Sequence, residues 1–167
     1  MAFRGLRQVR SGLAQMRSNA MNNLDTITML NRLIVVSKDG ESSLRAAAEE
    51  AYHPVLKNSL MSYSRFFGEA ATELQHAVKD LGGAPKALGT FANTLHRTWL
   101  HLRSSAQGHN EDVLLDEIAE DERIAAESLA RAVREDTPPQ IHELLERHYE
   151  GVLKHYGEIR EIRQQLH

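Results

Sequence analysis

The sequence predicts an all-α protein, and three observations lead to this prediction. The chain of 167 residues contains only four prolines and ten glycines, so long stretches carry no helix breaker. Aromatic residues make up 5% of the chain, which is sparse for a β-sandwich or barrel. Apolar residues recur at alternating spacings of four and three, as in helices that pack along a seam. The length and an apolar content of 41% suit one domain with a single core.

Four breaks divide the chain into five helical segments. The breaks are His53-Pro54, Gly82-Gly83 with Pro85, Gly108 to Asp112, and Thr137-Pro138-Pro139. The predicted helices are 23–52, 55–81, 86–106, 111–135 and 139–165. Tight connections make the first and second helices antiparallel neighbours, and likewise the fourth and fifth.

The length and the single apolar face of segment 86–106 predict the topology of the bundle. At 1.5 Å per residue it spans about 30 Å and can return the chain along the bundle. It carries one apolar face, formed by Leu88, Phe91, Leu95, Trp99 and Leu102. The expected result is a ferritin-like four-helix bundle, with two antiparallel hairpins joined by a helical crossover. A bundle of five equivalent helices is the structural alternative.

Charge separates the start of the chain from the rest. All 23 acidic residues lie at or after Asp25, whereas four arginines precede it, which gives net charges of +4 before Asp25 and −7 from there on. We therefore divide the chain into a basic amphipathic segment, 1–22, and a helical bundle, 23–167. The segment is predicted to dock on the body or on a partner protein, although its composition also resembles a transit peptide.

Composition excludes several classes of function. The chain has no cysteine, so disulfides and thiolate metal sites are excluded. An acidic body argues against a nucleic-acid-binding domain. The sequence has no 18-residue apolar run and no secretory signal, so we expect a cytoplasmic protein without a transmembrane segment. It also contains neither a phosphate loop nor a nucleophile elbow, and we assign no catalytic residue.

Several motifs together resemble an uncharacterised bacterial family of ferritin-like four-helix-bundle proteins. They are Leu30-Asn31-Arg32-Leu33-Ile34 with Asp39-Gly40-Glu41, Glu73-Leu74-Gln75 before Leu81-Gly82-Gly83, Leu95-His96-Arg97-Thr98-Trp99, the acidic stretch through Glu122, and Pro138-Pro139 with His155. The similarity covers about residues 25–166. It implies a ferritin-like fold and a bacterial cytoplasmic setting. It implies no activity, because the family is known as a domain of unknown function.

Inward ionisable residues raise the question of a metal site. Di-iron and di-manganese bundles take a Glu from each of two helices and Glu-x-x-His from each of the other two. Glu41, Glu122 and His155 lie on seams and are predicted to share a layer, with Glu69 at its flank. The residue three before His155 is Val152, so half of the expected pattern is missing there.

A literal Glu-x-x-His occurs on the second helix, at Glu73 to His76, but off its seam. These two residues are predicted to lie on a solvated flank, about 10 Å below the layer and nearer to His148. His148 itself is predicted to be a packed core histidine.

Two functions remain open. The favoured one is a non-enzymatic homo-oligomeric or partner-binding protein, in which Glu41, Glu122 and His155 form structural polar contacts. The alternative is a redox or storage protein that holds iron or manganese with those residues and Glu69. The residues Glu73, His76 and His148 are weaker candidates for metal ligands.

Overall fold

A computed structural model describes residues 3–89 and 111–166, with side chains from residue 23 onward. Within these ranges the chain forms four α-helices and no strand. The helices are α1 (Phe3–Glu50), α2 (Pro54–Asp80), α3 (Glu111–Val133) and α4 (Pro139–Gln165). The predicted all-α four-helix bundle is confirmed.

Proline and glycine set the helix ends, as the sequence predicts. Proline occupies the first position of both α2 and α4, where the missing N–H costs no intrahelical hydrogen bond. At the end of α2, Gly82 adopts a φ of 81°, in the left-handed region. The N–H groups of Gly82 and Gly83 then donate to the carbonyls of Lys79 and Val78, both at 2.9 Å. This glycine-dependent cap turns the chain away from the helix axis.

Contacts between distant residues give the direction of each helix. Near one end, the N–H of Tyr52 donates to Glu111 Oε1 at 2.6 Å. In mid-bundle, Ser43 Oγ donates to Asp121 Oδ2 at 2.6 Å, so α1 and α3 are antiparallel.

Helices α2 and α4 are antiparallel as well. Tyr63 bonds Glu158, whereas the later Glu73 bonds the earlier His148. Since α1 is antiparallel to both α2 and α3, helices α2 and α3 run in the same direction. The chain therefore leaves α2 at one end of the bundle and enters α3 at the other, as the predicted pair of hairpins requires.

The described start of this connection lies along α1. Gly83 packs on Ile27, and a Cβ atom added at Gly89 would overlap the Asp39 carboxylate. Between them, Asn31 Oδ1 accepts from the N–H of Lys86 at 2.7 Å. Residues 83–89 thus run back toward the start of α2.

The structure corrects the predicted start of the crossover helix. Residues 86–89 are not helical, because side chains of α1 and α2 bind the backbone there. In addition to the bond from Asn31, Gln75 Nε2 donates to the carbonyl of Lys86 at 2.7 Å. The rest of the predicted helix, with Trp99, lies outside the described residues.

Helix α1 also differs from its predicted range of 23–52. It is continuous from Phe3 to Glu50, so the boundary at residue 22 is not a break in the helix. That boundary was placed on charge, and a change of charge does not interrupt backbone hydrogen bonds. Whether 1–22 acts as a separate unit stays a prediction.

The predicted seams form the core. Most seam positions of the four helices are buried, including Leu30, Ile34, Leu44, Leu56, Leu60, Phe67, Leu74, Leu115, Ile118, Leu145, Val152 and Ile159. None of the described helices combines the length and apolar character that a membrane crossing requires.

A buried polar layer in the bundle

Glu122 is the most deeply buried charged residue of the described chain. Its position on the seam of α3 leaves it 2% exposed, and neither carboxylate oxygen has a hydrogen-bond partner. Burial, followed by repulsion from Asp121 and Glu158, raises the pKa of Glu122 to about 8. Burial thus favours the protonated, neutral form of this carboxyl group.

Tyr63, His155 and Glu158 surround the same level of the core from α2 and α4. Tyr63 Oη donates to Glu158 Oε2 at 2.7 Å. The ring of Tyr63 stacks on His155 with centroids 4.2 Å apart, and Phe66 meets the other side of the imidazole edge-on at 4.5 Å. Burial lowers the pKa of His155, whose Nδ1 is buried without a partner.

Two side chains of α1 reach this level but are already bound. Ser43 holds Asp121, whose pKa is raised by burial. Glu41 accepts from Lys38 at 3.1 Å and from Arg45 at 2.8 Å. A Cβ atom added at Gly68 would lie 2.9 Å from Glu41 Oε1, so this glycine makes room for the carboxylate beside α2.

The predicted metal candidates are only partly brought together. Glu122 and His155 face one interior layer, Glu41 lies at its edge in ion pairs, and Glu69 is exposed. In the part of the chain that the structure describes, no three His, Asp or Glu side chains are grouped closely enough to hold a metal ion. Binding of iron or manganese by these residues stays a prediction.

A second polar cluster lies further along α2 and α4. His148 is 4% exposed, and its Nε2 lies 3.0 Å from Glu73 Oε2. Arg147 pairs with the same carboxylate oxygen. Burial opposes ionisation of Glu73, but the bonds to His148 and Arg147 outweigh it and lower the pKa of Glu73.

This second cluster adds one contact to the predictions for Glu73 and His148. Glu73 is partly exposed on the flank, as predicted, but its side chain reaches inward to bind His148. His148 is a core histidine, as predicted, and its partner comes from outside the seam. His76 is exposed and contacts neither residue.

Sequence reasoning missed Glu158 and Tyr63. Tyr63 falls at the seam spacing of the second helix, with Leu60 and Phe67, and a buried tyrosine hydroxyl needs a hydrogen-bond partner. Glu158 lies three residues after His155, a spacing that places both side chains on the same side of a helix. His155 and Glu158 form the Glu-x-x-His motif in reverse order, and this spacing was the sequence signal for Glu158.

The geometry defines a class of protein: a four-helix bundle of two antiparallel hairpins whose apolar core encloses a buried carboxyl group and an imidazole. Such a layer can hold protons, donate hydrogen bonds or fix helix register. Residues 25–135 match the model of a family described as a domain of unknown function (DUF2383). The chain belongs to this family. No curated protein matches the sequence.

Proposed function

We propose that this chain is a ferritin-like bacterial cytoplasmic module that works by binding, not by catalysis, and that it assembles with copies of itself or with a partner protein through residues 1–22. The observation that carries the proposal is the length of α1. Helix α1 continues beyond Asp25, where the other helices of the bundle end, back to Phe3. Residues 3–24 of this helix therefore extend past the described ends of the other helices.

Charge supports a binding role for this extension. Residues 1–24 carry four arginines and no acidic side chain, whereas the body is acidic. Opposite net charges favour association between the extension of one molecule and the body of another. The polar layer also favours a binding protein over a metal-binding one. Glu41 and Asp121 are already bound by protein groups, as expected of residues that form structural contacts.

The test compares the full chain with a variant that lacks residues 1–22. Light scattering after size exclusion gives the mass in solution, and circular dichroism gives the helicity. We expect the variant to keep the helicity of α1 from residue 23 onward while the oligomeric mass falls. An unchanged number of chains per assembly would contradict assembly through this segment.

A specific observation favours iron or manganese binding as a second function. Glu122 and His155 both have buried polar atoms without a hydrogen-bond partner at the same level of the core. A cavity of about 100 Å³, bounded in part by Glu122, Gly40 and Phe67, adjoins this level between α1 and α3. A cation there would satisfy atoms that otherwise cost free energy.

Thermal melting separates the two functions. Under the binding proposal, added Mn²⁺ or Fe²⁺ shifts the melting temperature of the wild type only weakly. A rise of several degrees with one equivalent of metal, lost in both Glu122→Gln and His155→Gln, would reverse the ranking, because a ligand bound only by the native state stabilises it. Glu143→Gln, on the exposed face of α4, is the matched control.

A further inference from the structure

We propose that the N-terminal extension of α1, residues 3–24, docks in the groove between α1 and α3 of a second copy of this chain, so that two molecules pair antiparallel. This inference rests on the proposed function and names the partner. It is argued from the groove, from the charges at its end and from the direction of α1.

The groove lies at the end of the bundle from which the extension leaves. Its volume is about 580 Å³, and its floor includes Met29 and Leu33 of α1 and Ala132 of α3. Leu24, the last residue of the extension, is 64% exposed and is therefore available to a partner. The groove thus combines a few apolar side chains with polar and charged walls.

Three carboxylates surround the end of the groove: Asp25, Glu135 and Asp136. Within the described ranges none of the three forms a side-chain hydrogen bond or ion pair. Arg32 and Arg131 line the groove one to two helical turns further in. The acidic groups are therefore concentrated at the end where a basic helix would enter.

The extension has the complementary charge and sufficient length. It carries Arg4, Arg7, Arg10 and Arg17 and no acidic residue. At 1.5 Å per residue, its 22 residues span about 33 Å, whereas the groove wall from Asp25 to Val36 spans about 17 Å. One extension can cover the groove along its whole length.

The direction of α1 excludes the extension's own groove. Because the helix is continuous from Phe3 to Glu50, the extension points away from the bundle that it leaves. Reaching its own groove would require a reversal of the chain within that helix. A second copy related by a two-fold axis presents its groove alongside, and each molecule then gives one extension and receives one.

Charge reversal in the full-length chain tests the docking. We expect Glu135→Lys with Asp136→Lys to raise the dimer dissociation constant at least about tenfold, as measured by sedimentation equilibrium at low salt. The control is Glu143→Lys with Glu150→Lys, two exposed carboxylates of α4 away from the groove. The control should leave the dissociation constant unchanged.

The compensating exchange identifies the pair of surfaces. Arg10→Glu with Arg17→Glu, the two arginines that flank the acidic end when the extension covers the groove, should also weaken the dimer. Combining this pair with the two groove lysines should restore most of the affinity. Circular dichroism establishes that each variant is folded. A monomeric wild type, or a dimer indifferent to the groove substitutions, would overturn this inference.

The same measurements separate this inference from the proposed function. In one outcome, the deletion of residues 1–22 lowers the number of chains per assembly while the groove substitutions leave the dimer dissociation constant unchanged. In that case the extension docks elsewhere, and only the docking site is wrong. If the deletion leaves the number of chains per assembly unchanged, the proposed assembly role itself is wrong.

Discussion

Tyr63 and Glu158 are joined by a 2.7 Å hydrogen bond that links α2 to α4 at the level of the buried polar layer. The phenol is buried, whereas the carboxylate side chain is 40% exposed. Burial, together with the bond to Glu158, raises the pKa of Tyr63. The pair thus connects the interior of the bundle to its surface.

We expect Tyr63→Phe to lower the free energy of unfolding by about 1 kcal/mol, because it removes the hydroxyl but keeps the ring on His155. Chemical denaturation at pH 7 measures the change. Tyr156→Phe is the matched control, since Tyr156 lies on the same helix as His155 and forms no side-chain hydrogen bond with a described residue. Equal stability of the two variants would show that the bond to Glu158 contributes nothing.

Glu122→Gln is expected to stabilise the protein increasingly as pH rises. The pKa of Glu122 is raised, so the native state retains a proton that the unfolded chain releases. This group's contribution to stability is complete below the unfolded pKa, near 4.5, and is lost as pH rises to about 8. Since glutamine mimics the protonated form, the advantage of the variant should reach roughly 3 to 5 kcal/mol above pH 8.

Denaturation of the wild type and of Glu122→Gln at pH 5, 7 and 9 measures this difference. The exposed Glu143→Gln should show no comparable trend. A constant difference between the wild type and Glu122→Gln across the range would mean that the carboxyl group is ionised in the native protein at all three pH values.

Two glycines of α4 should respond oppositely to alanine. A Cβ atom at Gly151 would overlap the ring of Phe66, whereas at Gly157 it would meet nothing within 4 Å. Gly157→Ala should stabilise by up to about 1 kcal/mol through helix propensity. Gly151→Ala should destabilise by about 1 to 3 kcal/mol through overpacking, which exceeds the same gain in propensity. Melting temperatures that change in the same direction would contradict the close packing of Phe66 on α4.

Glu73→Gln is expected to cost less than about 1 kcal/mol at pH 7, because Glu73 is partly exposed and glutamine still accepts a hydrogen bond from His148. The pKa of Glu73 is lowered, so its contribution is present above the unfolded pKa and is lost as pH falls through the native value. The difference in the free energy of unfolding between the wild type and Glu73→Gln should therefore disappear in acid. Denaturation at pH 7 and pH 3 checks this, and a difference that grows in acid would contradict the ion pair.

The protonation and tautomer of the His148 imidazole can be observed directly. Burial lowers its pKa, and Nδ1 is buried without a partner, so we expect a neutral ring that carries its proton on Nε2 toward Glu73. Nitrogen chemical shifts of the imidazole at pH 7 distinguish this tautomer. A proton on Nδ1 would show that the Nε2 contact to Glu73 is not a donated hydrogen bond.

Apart from the start of α1 and residues 86–89, the sequence alone determined the described helices, their pairing into hairpins and the inward direction of Glu122 and His148. These features are local, since proline and glycine set helix ends and a spacing of three and four residues fixes which face a side chain occupies. Even the burial of a carboxylate on the seam of α3 followed from its position between Ile118 and Ala125.

Only the tertiary structure decided which polar groups meet. Glu73 binds His148 across 75 positions of sequence, and Tyr63 binds Glu158 across 95. The helical rise places Glu73 near the level of His148, but it does not decide whether the two side chains meet. A flexible side chain on a helix flank can reach inward only if the neighbouring helix leaves room beside it. The order of the helices around the bundle, which places α3 next to α1 and α4 next to α2, arises from packing among all four seams together.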